Sequence, residues 1–166
     1  MFRGEREPQL LNGVWRVDLG GETLDAIERG GLPIYYFGAR AEATKYEESL
    51  RGTVAVYQNG LDLLEQSYGE PWSVQREMVA EENERMQRKN PGWEIMTPPN
   101  PATAIGVAQR VYELYGKNVL PLYTRVGDGS LVAGYFFPRA GADVHDGWPP
   151  LGRFSDIGVL PLAVHA

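Results

Sequence analysis

The sequence predicts an α+β domain: a mixed, mostly antiparallel sheet, about three to four helices, and a C-terminal β-hairpin followed by a final strand. Three observations predict it. Residues 101–115 carry a long apolar helical stripe between a capping Asn and a closing Gly. Residues 119–137 hold two apolar runs joined by Gly127-Asp128-Gly129, a hairpin signature. The remaining segments do not alternate strand and helix with the regularity of βαβ units.

Composition sets the frame. The chain has 166 residues, 43% of them apolar and 23% charged, which is enough for a sizeable core and ordinary for a globular domain. Residues 1–10 form a polar, Pro-containing arm, expected to be fixed by a neighbouring subunit, and residues 11–166 form one domain. The stiff run 96–101, "MTPPNP", could divide it into two lobes.

Residues 11–18 alternate weakly around Val14, Trp15 and Val17 and predict a first strand, closed by Gly20-Gly21. Residues 22–29 predict a short helix with Leu24, Ala26 and Ile27 to bury, ended by Gly30-Gly31. Leu-Pro then recurs before an apolar residue at Leu32-Pro33, Leu120-Pro121 and Leu160-Pro161. Spacings of 88 and 40 are not a repeat period; two of the three follow a Gly-terminated helix and mark helix-to-strand junctions. Residues 40–50 set Ala43, Tyr46 and Leu50 on one helical face. Residues 53–58 read as extended, and Asn59-Gly60 predicts a hairpin into 61–65, with a helix over 61–68 as the alternative.

Residues 73–90 predict a helix capped by Ser73 and ended by Pro91-Gly92. Its apolar set, Val74, Met78, Val79 and Met86, is thin, while Glu81–Arg85 and Glu84–Arg88 fall at i, i+4. Such a helix is expected mostly in solvent or against a partner. In 101–115, Asn100 caps, Pro101 takes the first turn, and Ala104, Ile105, Ala108, Val111, Tyr112 and Tyr115 make one buried side ending at Gly116. A loop is expected over 139–153 and a final strand over 157–164.

Charge and residue usage exclude several functions. A net charge of −6, with 16 basic residues in no dense run, disfavours nucleic acid as a partner. No stretch approaches 18 apolar residues, and the first residues carry no apolar signal core, so neither a membrane span nor a signal peptide is expected; the location expected is cytoplasmic or virion-associated. Without cysteine there are no disulfides, thiolate metal sites or thiol nucleophiles. The five serines lie in no G-x-S-x-G elbow, and "GDGS" at 127–130 reads as turn vocabulary. "YGKN" at 115–118 lacks the glycines and hydroxyl of a phosphate loop, and no cofactor is expected.

What remains is thin chemistry. Asp143, His145 and Asp146, with Asp156 as a possible further ligand, could hold a metal or place His145 as a general base; the competing reading is a polar surface loop. Glu77, Glu81 and Glu84 share a helical face that could ligate, act as paired acid and base, or dock on a basic surface; interleaved Arg85, Arg88 and Lys89 favour a solvated, salt-bridged face. Aromatics reach 11%. The runs Tyr35-Tyr36-Phe37 and Tyr135-Phe136-Phe137 are core if their strands are central and an interface patch if they lie at an edge or face solvent; Tyr35 and Tyr36, with Trp72, Trp93 and Trp148 beside Pro or Gly, are expected interface residues.

The function these features favour is a non-enzymatic structural or interaction protein, a homo- or hetero-oligomeric subunit of a larger assembly such as a phage or viral particle. Two alternatives stand beside it: a small metal-assisted or acid/base enzyme using His145, and an acidic inhibitor of the immunity-protein or antitoxin kind.

Overall fold

The structure is a computed structural model that describes residues 14–146 and 152–165. The expected arm at 1–10 and Trp148 lie outside the described residues. Within the described residues, strands rich in β-branched and aromatic side chains form two sheets. The first has the order β1 (Trp15–Gly20), β3 (Arg51–Val56), β9 (Leu162–His165), β4 (Trp93–Met96), and every pairing in it is antiparallel. The second runs β2 (Ile34–Phe37), β7 (Gly141–His145), β6 (Leu131–Phe137), β5 (Tyr123–Val126), β8 (Ile157–Gly158); its outer pairs are parallel and its inner pairs antiparallel. The α+β class and the C-terminal hairpin, β5–β6, follow the expectation.

Among the described residues five α-helices fill the spaces: α1 (Leu24–Arg29), α2 (Ala39–Ala43), α3 (Gln58–Ser67), α4 (Trp72–Lys89) and α5 (Pro101–Tyr115). None is long and apolar enough to cross a membrane. Helix α5 packs against both β1 and β6, so it lies between the sheets. Its cap is as expected, with Asn100 accepting from Thr103 N–H and Gly116 left-handed at φ 69°. Its burial differs. Pro101 through Ala108 are buried without a break, not along one stripe, because two sheets cover it. The small side chains Ala102, Ala104, Gly106 and Ala108 permit that double approach.

Period-two alternation then sorts each strand. Val17, Leu19, Val54, Val56 and Leu162 of the first sheet join α5, as do Ile34, Ala133, Ala142 and Val144 of the second, in one cluster that spans both sheets. The first sheet turns Ala55, Trp93, Ile95 and Ala163 the other way, onto Leu63, Val79 and Met86 of α3 and α4. The layers are therefore helix, sheet, helix, sheet; on the outer face of the second sheet α4 reaches Arg125 of β5 through Gln75, while Tyr35, Phe37, Tyr135 and Phe137 stay half-exposed.

Three expectations need correction. Asn59-Gly60 makes no hairpin: it lies in the first turn of α3, where Gly60 is buried and a Cβ would sit 3.4 Å from Pro161 O and from the Tyr57 ring. Residues 141–145 are a central strand and not loop, since Ala142 and Val144 alternate inward with Asp143 and His145 outward. The last strand is split. Ile157–Gly158 closes the second sheet, Leu160 N–H donates to Thr124 Oγ1, and Leu162–His165 enters the first sheet between β3 and β4. All three Leu-Pro leucines are buried just before a strand, as junctions should be.

Candidate functional site: the outer face of the second sheet

Register places the side chains. Tyr35 pairs with Asp143 and Phe37 with His145 across β2–β7, so these four share the outer face. Tyr123 faces the same way, because it pairs with Gly134, which pairs with Asp143. Between Gly134 and Phe137 the β6–β7 register slips, a bulge in which Tyr135 takes φ 51°. A glycine is required at 134: φ is 150°, and a Cβ would come within 2.1 Å of Leu122 O. The slip sends Tyr135 and Phe137 outward together, their rings at 4.9 Å and nearly perpendicular, while Phe136 turns in.

Five rings and an imidazole result in one surface. His145 stacks on Phe37 at 4.2 Å and meets Tyr123 edge-on at 5.3 Å, and Tyr123 stacks with Tyr135 at 5.8 Å. Tyr35, Phe37, Tyr135 and Phe137 are each 45–49% exposed. A large apolar group half in water is ordinary alone; four adjacent on one flat face are not. The other half of this face is closed by the chain itself, where Tyr123, Val132 and Ile157 pack with Phe154.

A polar group sits at the centre of the rings. The Tyr123 hydroxyl donates to Asp143 Oδ2 at 3.0 Å and lies 3.4 Å from His145 Nε2, which is 3.7 Å from the same carboxylate oxygen. Burial, then the hydrogen bond to Asp143 and its charge, push the Tyr123 phenol well above its usual range. At neutral pH it is a fixed donor and no base. The arrangement can orient a phenol and an imidazole toward a bound group, but the metal set is not assembled. Asp146 Oδ2 instead accepts from Arg40 N–H at 2.7 Å and Ala41 N–H at 3.2 Å, at the start of α2. Asp156 stands before β8, where its carbonyl accepts from Tyr123 N–H. Among the described residues no three His, Asp or Glu side chains converge as a metal site.

The other expected residues scatter. Trp93 is fully buried between the first sheet and α4, so it contributes no surface; the Pro-Gly beside it ends a helix whose side chains then cover the strand. Tyr36 points inward, its hydroxyl buried and Lys45 over its ring at 5.3 Å. Trp72 opens α4 and lies partly buried against Gly129, where any Cβ would fall within 2.7 Å of its ring. Tyr35 alone of these belongs to the exposed face. Glu77, Glu81 and Glu84 are exposed on α4. Arg85 pairs with Glu82, which also accepts from Tyr57 OH at 2.8 Å, and not with Glu81; Arg88 lies 3.9 Å from Glu84. Phe37, Tyr135 and Phe137 lie in the two aromatic runs that the sequence offers as core or as an exposed patch, and the structure turns them outward. Tyr123 carried no signal in the sequence, and neither did the bulge that aligns the rings, beyond Gly134.

Comparison with known proteins returned no match: no family model, no curated protein and no solved structure resembles the chain.

Proposed function

We propose that the chain is a non-enzymatic interaction protein that docks through the outer face of its second sheet, as a subunit of a larger assembly, a phage or viral particle being its most concrete form. The observation that carries this is the row of four half-exposed rings, Tyr35, Phe37, Tyr135 and Phe137, on the outer face of the second sheet. Aromatic side chains supply much contact area for little conformational entropy, and such clusters concentrate binding energy. The simplest partner is a second copy. Strand β2 ends the sheet order beside Tyr35 and Phe37, so its edge can add to the ring contacts.

Light scattering after size exclusion, over a wide range of concentration, tests this. The wild type is expected above monomer mass, and Phe37→Ser with Phe137→Ser is expected to return it to monomer with its circular dichroism unchanged. A wild-type monomer at every concentration would sink the self-pairing form.

The second reading, an acid/base enzyme, is favoured by one observation, the Tyr123–Asp143–His145 contact. Turnover in a screen of chromogenic esters and phosphoesters that is lost in both His145→Asn and Tyr123→Phe, with the oligomeric mass unaltered, would support it over docking.

A further inference from the structure

A cleft of about 430 Å³ opens on the opposite side of the second sheet, between the end of α1, the outer half of α5 and the β6–β7 turn. That volume suits a small molecule. Its floor is apolar: Leu32 and Phe136 are buried, and the half-exposed Tyr112 ring meets Phe136 edge-on at 6.4 Å. Its walls carry Gln109, Glu113 and Arg139. None of these three side chains makes an ion pair or hydrogen bond with another described residue, so Glu113 and Arg139 share a cleft without neutralising each other.

Arg139 adds a second, independent observation. Phe137-Pro138-Arg139-Ala140 is a tight turn closed by Ala140 N–H to Phe137 O at 3.0 Å, and Arg139 stands at its third position with φ 68°. With Pro at the second position, the third is the place of glycine. A long cationic side chain is held there against the backbone's preference and lines the cleft. Strain of this kind gathers at binding sites.

We propose that this cleft binds a small zwitterion with an apolar body, an aromatic α-amino acid being the simplest. The carboxylate goes to the Arg139 guanidinium, which takes carboxylates through paired N–H donors. The ammonium lies toward Glu113, and the ring rests on Leu32, Tyr112 and Phe136. A plain carboxylate would meet the Glu113 charge uncompensated, and a plain amine would meet that of Arg139.

Calorimetric titration with L-phenylalanine, 3-phenylpropionate and phenethylamine tests the assignment. Saturable binding is expected for L-phenylalanine, and weaker binding for the two compounds that lack one charge. Arg139→Gly should raise the melting temperature, because it relieves the turn, yet weaken L-phenylalanine by about tenfold or more, the loss of one charge-assisted contact. Glu113→Gln should weaken L-phenylalanine while 3-phenylpropionate binds as well or better. No saturable heat with L-phenylalanine, equal binding of all three compounds, or full affinity in the more stable Arg139→Gly would overturn the proposal.

Discussion

At the scale of single residues, much of the second sheet's rim depends on Gly38 and Asp146. Gly38 precedes α2 at φ 107°, and a Cβ there would lie 2.0 Å from Asp146 Oδ1. Absence of that carbon lets a carboxylate from the end of β7 reach the first N–H groups of α2 and tie the strand to the helix. Gly38→Ala is expected to cost about 2–3 kcal/mol, from the left-handed backbone and the lost approach together. Asp146→Ala should cost about 1 kcal/mol, the usual value of a lost cap. In urea denaturation the double variant should cost less than the sum, because both changes break one contact; strict additivity would refute the coupling. Arg139→Gly should shift the other way, by about 0.5–1 kcal/mol in favour of the fold. Neither glycine's role nor the trans cap of Asp146 could be read from the sequence, where Asp146 sits in turn-like surroundings and its partner is a hundred residues away.

Among elements, α4 shows how a helix with a thin apolar face is still anchored. Its Gln75 is fully buried. The side-chain amide donates to Ser67 O and Ile157 O, both at 3.0 Å, and its oxygen accepts from Arg125 Nε at 2.6 Å. Arg125, buried on β5, also donates to Gly129 O at 2.9 Å and Gly152 O at 3.3 Å. Burial holds its guanidinium below its usual range, and every acceptor it has among the described residues is neutral. One polar network thus joins α3, α4, β5 and β8, doing what apolar contacts do elsewhere. Gln75→Ala would take the partner from Arg125 Nε and from Ile157 O in a dry setting and leave Ser67 O only Glu70 N–H, with an expected cost of about 2–4 kcal/mol by thermal or chemical unfolding. A cost no larger than that of an exposed Gln→Ala on the same helix would show that water replaces the amide. The helix itself was legible to within a residue or two. Its docking was not, because a glutamine in a charged run reads as surface until its partners are known.

For the whole molecule, the layered packing buries phenols as well as aliphatic groups, and this gives the protein an alkaline limit. Burial first, and nearby carboxylates after it, push Tyr36 and Tyr68 up to about 12, and burial raises Tyr57 and Tyr123 as well. An unfolded tyrosine ionises near 10. Between pH about 10 and 12 the folded chain therefore holds more protons than the unfolded one, and stability falls as pH rises through that window. The phenolate absorbance of these four tyrosines is expected to appear together with the loss of circular dichroism, in one cooperative step; ionisation of all nine tyrosines near pH ~10 with the fold intact would contradict the burial described. At this scale too the divide between sequence and structure is plain. The class, the capped helix α5, the β5–β6 hairpin and the Leu-Pro junctions were legible in local pattern, since period, caps and turns act between residues close along the chain. Packing between distant segments set the rest: that α5 is covered on both sides, that 141–145 is a central strand and that 157–165 serves two sheets. The same packing set which aromatics face water. Each of these depends on register and layer order between segments far apart in sequence, and a strand's two faces look alike until a neighbour covers one of them.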